Sequence, residues 1–302
     1  MNSIGTTPPH FEIMNPDMES HPLIAVIGDV HHHIGLATEG LHRIEAETSS
    51  PIAQVFSVGD LGLFLQESDW DYLTGPAKYR HPETSPEIRA AWSAWQWPLS
   101  MIGGNHEPFH LLRDWNPAAF SNKLEYTDAG ELHHTIPGLR VAGLSGIYHP
   151  EHVGFMMESE GNLPKSRQAK SWPEMVAMAR ARLISRKRLT YYKQQEIDKL
   201  CTTNSQPHLL LLHDWPVAPA HIHEIHDRRP ESEILDALQP HFLCCGHHHT
   251  AARFCVQSSE VIALNLITSK ALSYPRIIQD GWAALFRWDG ESLHFLQTWP
   301  AS

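Results

Sequence analysis

Five short apolar runs in this 302-residue chain each end in a turn that contains Asp, Asn or His. Apolar runs bounded by Gly and polar residues predict buried strands. The five runs cover residues 23–28, 53–58, 99–102, 208–212 and 241–245. Because a helical pattern at 34–46 separates the first two runs and further strand patterns cluster late, we predict an α/β fold with a mixed sheet or two stacked sheets.

The domain organisation predicted from these patterns is simple. Residues 1–22 are expected to be loosely ordered, and residues 23–302 to form one domain with a Trp-rich, mostly helical insertion at 61–98. A basic, lid-like segment at 165–193 carries nine Lys or Arg and one acidic residue. Further patterns predict a helix at 231–238 and strands at 139–144, 252–256, 261–266, 282–288 and 293–298.

The composition excludes several classes of protein. Hydrophobic residues make up 42% of the chain and charged residues 19%, so a disordered chain is excluded. No apolar stretch approaches twenty residues, and the first 22 residues carry several charged side chains, so neither a membrane span nor a signal peptide is expected. The four cysteines lack C-x-x-C spacing and are interpreted as reduced. We therefore expect a cytoplasmic protein with no membrane contact and no obligate protein partner.

Charge and histidine content point to a metal site. A formal net charge of -11 argues against a protein that coats nucleic acid by bulk charge. The chain also holds 23 His, and neutral imidazole and ionised carboxylate are common ligands of zinc, manganese and iron. The position of each His in the sequence is needed to predict which of them bind metal.

Metal-competent residues gather where the predicted strands end. In open α/β sheets, ligands bind beyond the carboxyl ends of the strands, so separate turns can converge on one site. If Asp60 bridges, the donors suffice for two divalent cations about 3.5 to 4 Å apart. The candidate residues are Asp29, His31, Asp60, Asn105, His106, His213, His247 and His249.

The order of these residues resembles that of the calcineurin-like metallophosphoesterases. Their pattern is D-x-H, G-D, G-N-H-[DE], a lone H and G-H-x-H. The corresponding blocks here are Asp29-Val30-His31, Gly59-Asp60, Gly104-Asn105-His106-Glu107, His213 and Gly246-His247-His248-His249. Each block alone is weakly specific, but five in order at predicted strand ends are strongly specific. The resemblance implies a four-layer αββα sandwich of two mixed β-sheets flanked by helices.

The resemblance also implies roles for the site residues. One metal would be held by Asp29, His31 and His249. The other would be held by Asn105, His213 and His247, with Asp60 as the bridge. His106 would not be a ligand but a catalytic residue over the leaving-group oxygen. His248 could be mistaken for the ligand at 249 if the turn is bulged. Glu107 and Asp214 are expected either to orient neighbouring His rings or to cap backbone groups.

Within that superfamily, further stretches resemble the RNA lariat debranching enzymes. They are Gly104-Asn105-His106-Glu107, the run from Gly138 to Tyr148, and His213-Asp214-Trp215-Pro216. The debranching enzymes carry Cys where this chain has Asp29, so a full two-metal site is expected here.

The resemblance implies a binuclear metallophosphoesterase. We expect a phosphodiesterase that hydrolyses an RNA or nucleotide phosphodiester by attack of a metal-bridging hydroxide, with manganese as the expected metal and iron or zinc as alternatives. A phosphomonoesterase or protein phosphatase is the alternative enzyme, although the Asp-Arg-Gly of protein phosphatases is missing after Gly59-Asp60. A non-catalytic scaffold would predict lost ligands, and none is lost.

The basic segment adds a hypothesis about the substrate. Ser171 followed by Pro173 and Glu174 predicts a helix start, and several Arg residues after it would face outward or toward the site. Arginines bind phosphates and tyrosines stack on bases, so this segment suits a nucleotide chain. The candidate contacts are Arg180, Arg186, Tyr191 and Tyr192. The alternative, held with equal weight, is a solvated helix face that balances an acidic body.

Overall fold

The computed structural model describes residues 20–73, 85–112, 123–149, 171–203, 205–216, 230–268 and 277–299. The strands there are β1 (Leu23–Ile27), β2 (Ile52–Ser57), β3 (Leu99–Met101), β4 (Leu124–Tyr126), β5 (Ala129–Glu131), β6 (Val141–Leu144), β7 (Leu209–Leu212), β8 (Phe242–Cys245), β9 (Ala252–Val256), β10 (Ser259–Ala263), β11 (Ala283–Trp288) and β12 (Leu293–Trp299). The α-helices are α1 (Ile34–Thr48), α2 (Ser85–Ala94), α3 (Phe109–Leu112), α4 (Trp172–Arg180), α5 (Gln194–Cys201) and α6 (Pro230–Leu238). Two 3₁₀ helices cover Glu67–Tyr72 and Arg186–Thr190.

The strands form two six-stranded mixed sheets. The first sheet has the order β12-β11-β1-β2-β3-β4, with β1 to β4 parallel and β11 antiparallel to β1. The second has the order β5-β6-β7-β8-β10-β9, with β6, β7, β8 and β10 parallel. The carboxyl ends of β1, β2 and β3 therefore lie at one edge of the first sheet, and those of β7 and β8 at one edge of the second.

Side-chain alternation along the strands produces the layers. Ile24 and Val26 of β1 pack against the second sheet, whereas Leu23, Ala25 and Ile27 pack against α1 and the tryptophans of the insertion. On the second sheet, the even-numbered leucines of β7 pack against α5 and α6. This confirms the predicted αββα sandwich. Successive residues of a strand point to opposite faces, which separates Cys244, between the sheets, from Cys245, on the helical side.

Most predicted strands occur within two residues of their expected bounds, but β4, β5, α3 and α5 were not predicted. The predicted N-terminal segment lies, except for its last residues, outside the described residues. The insertion contains α2 and the 3₁₀ helix Glu67–Tyr72, and residues 74–84 of it are outside the described ranges. No helix within the described ranges has both the length and the apolarity to cross a membrane.

Candidate metal centre

The turns after β1, β2, β3, β7 and β8 meet at one end of the sandwich and bring the predicted ligands together. Asp29 and His31 follow β1, and His249 comes from the turn after β8. The Asp29 Oδ2 atom lies 2.9 Å from His249 Nε2 and 4.0 Å from His31 Nε2. The two imidazole Nε2 atoms lie 3.1 Å apart. These three ligand atoms are close enough to bind a single cation.

Asp60 lies between the two predicted halves of the centre. Its Oδ2 atom is 3.7 Å from His31 Nε2 and 3.4 Å from His213 Nε2. This oxygen is buried and has no hydrogen-bond partner among the described residues. Burying a carboxylate oxygen without a hydrogen bond costs free energy, and a bound cation would compensate for that cost. The surrounding His and Asp side chains are suitable ligands for such a cation.

His213 and Asn105 form the second half. The Nδ1 atom of His213 lies 2.8 Å from the carbonyl oxygen of Val58, so an Nδ1–H donor leaves Nε2 for a metal. That Nε2 atom lies 3.1 Å from Asn105 Oδ1. The ring of His247 is 5.2 Å from the ring of His213, between centroids, and its backbone N–H donates to Asp29.

The backbone at the site adopts strained conformations. His31, Asp60, His247 and His249 all have positive φ angles, between 44° and 66°. Such angles are uncommon outside Gly and cluster at functional sites. Gly104 allows the turns to approach closely, since a Cβ atom there would lie 2.2 Å from Asp60 Oδ1 and 2.6 Å from His213 Cε1.

The turns after β2 and β3 are joined by hydrogen bonds in both directions. Asp60 Oδ1 accepts a hydrogen bond of 2.6 Å from the backbone N–H of His106. In return, the two carboxylate oxygens of Glu107 accept hydrogen bonds from the backbone N–H groups of Leu61, Gly62 and Leu63. Of the two roles expected for Glu107, backbone capping is therefore the observed one. The capping holds the turn that presents Asp60.

The electrostatics favour an ionised Asp60, neutral rings at His31 and His247, and a positively charged ring at His213. Burial raises the pKa of Asp60, but His213 and His106 outweigh it and hold this pKa well below its usual value. Burial lowers the pKa of His31 and of His247 to about 4. Burial also opposes charge on His213, yet the carboxylates of Asp60 and Asp29 raise its pKa to about 10. The carboxylates thus stabilise positive charge at this point, which is what a bound cation requires.

The predicted catalytic His106 lies beside this centre. Its ring is 5.0 Å from the ring of His31, between centroids, in an edge-to-face arrangement. The hydrogen bond from its backbone N–H to Asp60 holds His106 next to the carboxylate of the predicted bridge.

Residues 165–170 of the basic segment lie outside the described ranges, and the rest of the segment contacts the insertion. Ser171 caps α4 by accepting from the N–H of Glu174, as its sequence predicts. Arg180 Nε donates a 2.6 Å hydrogen bond to the hydroxyl of Tyr72, and the guanidinium of Arg186 lies 5.4 Å from the centre of the same ring. Tyr72 also stacks on His110 with 3.5 Å between ring centroids.

Tyr192 requires a correction. It was expected to stack on a base, but it is 1% exposed and packs in the core with Ile197 and Leu200. A buried ring cannot offer its face to a ligand. Tyr191 is half-buried, 4.6 Å from the ring of His149.

Comparisons with known proteins place these observations in a wider context. No family model matches the sequence. The chain is 22% identical over 254 residues to a lariat debranching enzyme of Arabidopsis thaliana, covering 78% of this chain and 56% of that protein. It is 26% identical over 269 residues to a lariat debranching enzyme of Entamoeba histolytica, covering 83% of this chain and 71% of that protein.

The chain is similar to lariat debranching enzymes. This confirms the resemblance inferred from the motifs, while the chain spans little more than half the length of the plant debranching enzyme. Among solved structures, a novel archaeal phosphodiesterase aligns over 92% of this chain and 99% of its own, at 10% identity and a TM-score of 0.38. Two of the three stretches first matched to debranching enzymes, those at Asn105 and His213, lie in the candidate centre.

Two contributions were missed by the sequence analysis. Tyr72 lies in the insertion, and no local pattern links it to arginines more than a hundred residues away. Asp214 was expected either to orient a neighbouring His ring or to cap backbone groups, but its partner ring was not predicted: its Oδ1 lies 3.4 Å from His248 Nε2, and both its oxygens also accept backbone N–H groups. The adjacent blocks His213-Asp214 and His247-His248-His249 were the available signal for it.

Proposed function

We propose that this protein is a binuclear metal-dependent phosphodiesterase. The observation that carries the proposal is the position of Asp60 Oδ2, buried without a hydrogen bond and within 3.7 Å of an imidazole nitrogen from each half of the centre. A carboxylate in this position suits a bridge between two divalent cations.

The proposed ligands are those expected from the sequence. Asp29, His31 and His249 hold one cation, Asn105, His213 and His247 hold the other, and Asp60 serves both. When bound, the two cations supply positive charge to the phosphoryl oxygens and lower the pKa of a coordinated water towards neutrality. The donor set of imidazole, carboxylate and amide oxygen suits manganese, with iron or zinc as alternatives.

His106 is the proposed proton donor to the leaving oxygen. Its backbone is tied to Asp60, and its ring lies against that of His31, at the edge of the ligand set. A side chain in this position can reach an oxygen on a phosphate held by the centre without itself being a ligand. General acid catalysis of this kind contributes typically about 10² to 10⁴ in rate.

The proposed substrate is an RNA or nucleotide phosphodiester. Support comes from the debranching-enzyme relatives and from Arg180 and Arg186, which lie together at Tyr72 with no carboxylate partner among the described residues. Two guanidinium groups side by side suit a phosphate of a chain that extends beyond the centre, and Tyr191 remains a candidate for stacking. We place the reaction in the cytoplasm, in keeping with four free cysteines.

A substrate panel tests the proposal. Protein stripped of metal is reconstituted with Mn, Fe or Zn and assayed on linear 3′,5′ RNA, branched 2′,5′ RNA, cyclic nucleotides, bis-p-nitrophenyl phosphate and p-nitrophenyl phosphate. Metal-dependent cleavage of diesters is the expected result, and cleavage of the branched RNA alone narrows the proposal to debranching. Cleavage of monoesters only would replace it with a phosphomonoesterase, and failure on every ester with two metals bound would refute it.

A further inference from the structure

A second group of metal-competent side chains lies next to the candidate centre. Asp214 follows β7 directly after His213, and His248 lies between the proposed ligands His247 and His249. One ligand atom from each of Asp214, His247 and His248 lies within 4.8 Å of the other two. The likeness to metallophosphoesterases assigns no role to the residue at 248, which is the variable position of G-H-x-H.

The side chains of Asp214 and His248 are held in place by neighbouring residues. Asp214 is 4% exposed, and its two oxygens accept backbone N–H groups of Trp215 and Tyr148. The Oδ1 atom of Asp214 lies 3.4 Å from His248 Nε2. That nitrogen is buried and makes no hydrogen bond within the described part of the chain. The edge of the His248 ring is fixed against Trp215.

From this arrangement we infer a third metal site, formed by Asp214, His247 and His248, that takes zinc. Two imidazoles and one carboxylate are a ligand set typical of zinc with an open fourth position. The side chain of His248 is 20% exposed, so the group lies close to the protein surface.

His247 belongs both to this site and to the centre under Proposed function. A neutral imidazole has one nitrogen lone pair to give, because its other nitrogen carries a proton. Zinc bound to Asp214 and His248 therefore withdraws His247 from the centre, while Asn105, His213 and Asp60 retain the cation there. The third site is thus inhibitory, and this consequence rests on the proposed function whereas the binding itself does not.

Zinc stoichiometry tests the binding. Chelator-treated full-length protein is titrated with zinc chloride by calorimetry, and the bound zinc is counted after desalting. The wild type is expected to bind one equivalent more than His248→Gln and one more than Asp214→Asn. His294→Gln is the matched control, because His294 and Asp289 form a similar pair, 2.7 Å apart, on the surface. Equal stoichiometry in the wild type and His248→Gln would overturn the site, whatever number the main centre binds.

Inhibition by excess zinc tests the consequence. The zinc concentration that halves hydrolysis of bis-p-nitrophenyl phosphate by the manganese-loaded protein is expected to rise at least tenfold in His248→Gln and to stay constant in His294→Gln. An unchanged inhibition in His248→Gln contradicts the withdrawal of His247. Absence of hydrolysis in every variant would instead count against the proposed function, and the stoichiometry would still decide whether the third site exists.

Discussion

Two buried histidines lie at opposite ends of strand β7 and have opposite electrostatics. His213 follows the strand, and its pKa is raised to about 10 by Asp60 and Asp29 against the effect of burial. His208 precedes the strand, and burial together with Arg140 lowers its pKa to about 4. The side chains are of one type, both are less than a tenth exposed, and only four residues separate them.

The difference shows that the carboxylates beside a ring, and not the residue type, decide the charge of these two histidines. At the carboxyl end, the turns bring Asp29 and Asp60 to His213, so positive charge is stabilised on this ring, although burial lowers the pKa of His31 and of His247 at the same end. At the amino end, His208 Nδ1 accepts the backbone N–H of Arg140 at 3.0 Å and the ring packs on Trp288. A neutral ring that accepts a backbone hydrogen bond is a structural residue.

Asp60→Asn is expected to have the largest effect, because it removes the negative charge on which the carboxyl end depends. Both halves of the proposed centre would lose the ligand proposed to serve them both. We expect kcat/KM on bis-p-nitrophenyl phosphate to fall by more than the ~10⁴-fold that a missing proton donor can cost. Metal analysis of the purified variant should find less metal than in the wild type.

The control for this variant is Asp289→Asn, which removes a carboxylate beside a histidine on the surface. It should leave both metal content and kcat/KM unchanged. Two tightly bound equivalents in Asp60→Asn would show that the carboxylate is not a shared ligand, and the contrast between the two ends of β7 would then have another cause.

His106→Ala is expected to separate metal binding from chemistry. If His106 is a proton donor and not a ligand, the loss of its ring lowers kcat by about 10² to 10⁴ while metal content stays at the wild-type level. Steady-state kinetics and metal analysis on the same preparation measure both. A matching loss of metal would instead make His106 a ligand, and full turnover would remove it from the mechanism.

Arg186→Ala extends the comparison from the buried centre to the arginines at Tyr72, which lie near the surface. A solvent-exposed charge contact is worth up to about 1 kcal/mol, so we expect KM for a short oligonucleotide to rise roughly fivefold. Hydrolysis of bis-p-nitrophenyl phosphate, which has no second phosphate for an arginine to bind, should not change. Lys187→Ala makes the same charge change at the neighbouring exposed residue, and an equal effect there would indicate bulk charge instead of a defined contact.

The candidate centre could be predicted from sequence because its residues follow strands directly, and parallel strands place their ends together whatever the loops do. Other features depend on contacts between distant segments. Tyr72 meets Arg180 only because α4 packs on the 3₁₀ helix of the insertion. The burial of Tyr192 depends on packing against α5, which was not predicted. The strands β4 and β5 are three residues long, too short to show a periodic pattern.

His208→Asn is expected to have the smallest effect, and it acts on stability alone. Asn Oδ1 can accept the N–H of Arg140 in place of the ring nitrogen, while packing on Trp288 is lost. At pH 7 we expect the variant to be about 1 kcal/mol less stable by urea denaturation, with metal content and kcat/KM unchanged.

The pH dependence of this difference is the sharper measurement. Since the pKa of His208 is about 4 when folded and near 6.5 when unfolded, the folded protein binds fewer protons between these values. Wild-type stability from this group is complete above pH 6.5 and decreases as the pH falls towards 4. Asn does not titrate, so the advantage of the wild type should shrink over this window. A constant or growing difference would mean that His208 is charged when folded, and the two ends of β7 would then not differ in the way described.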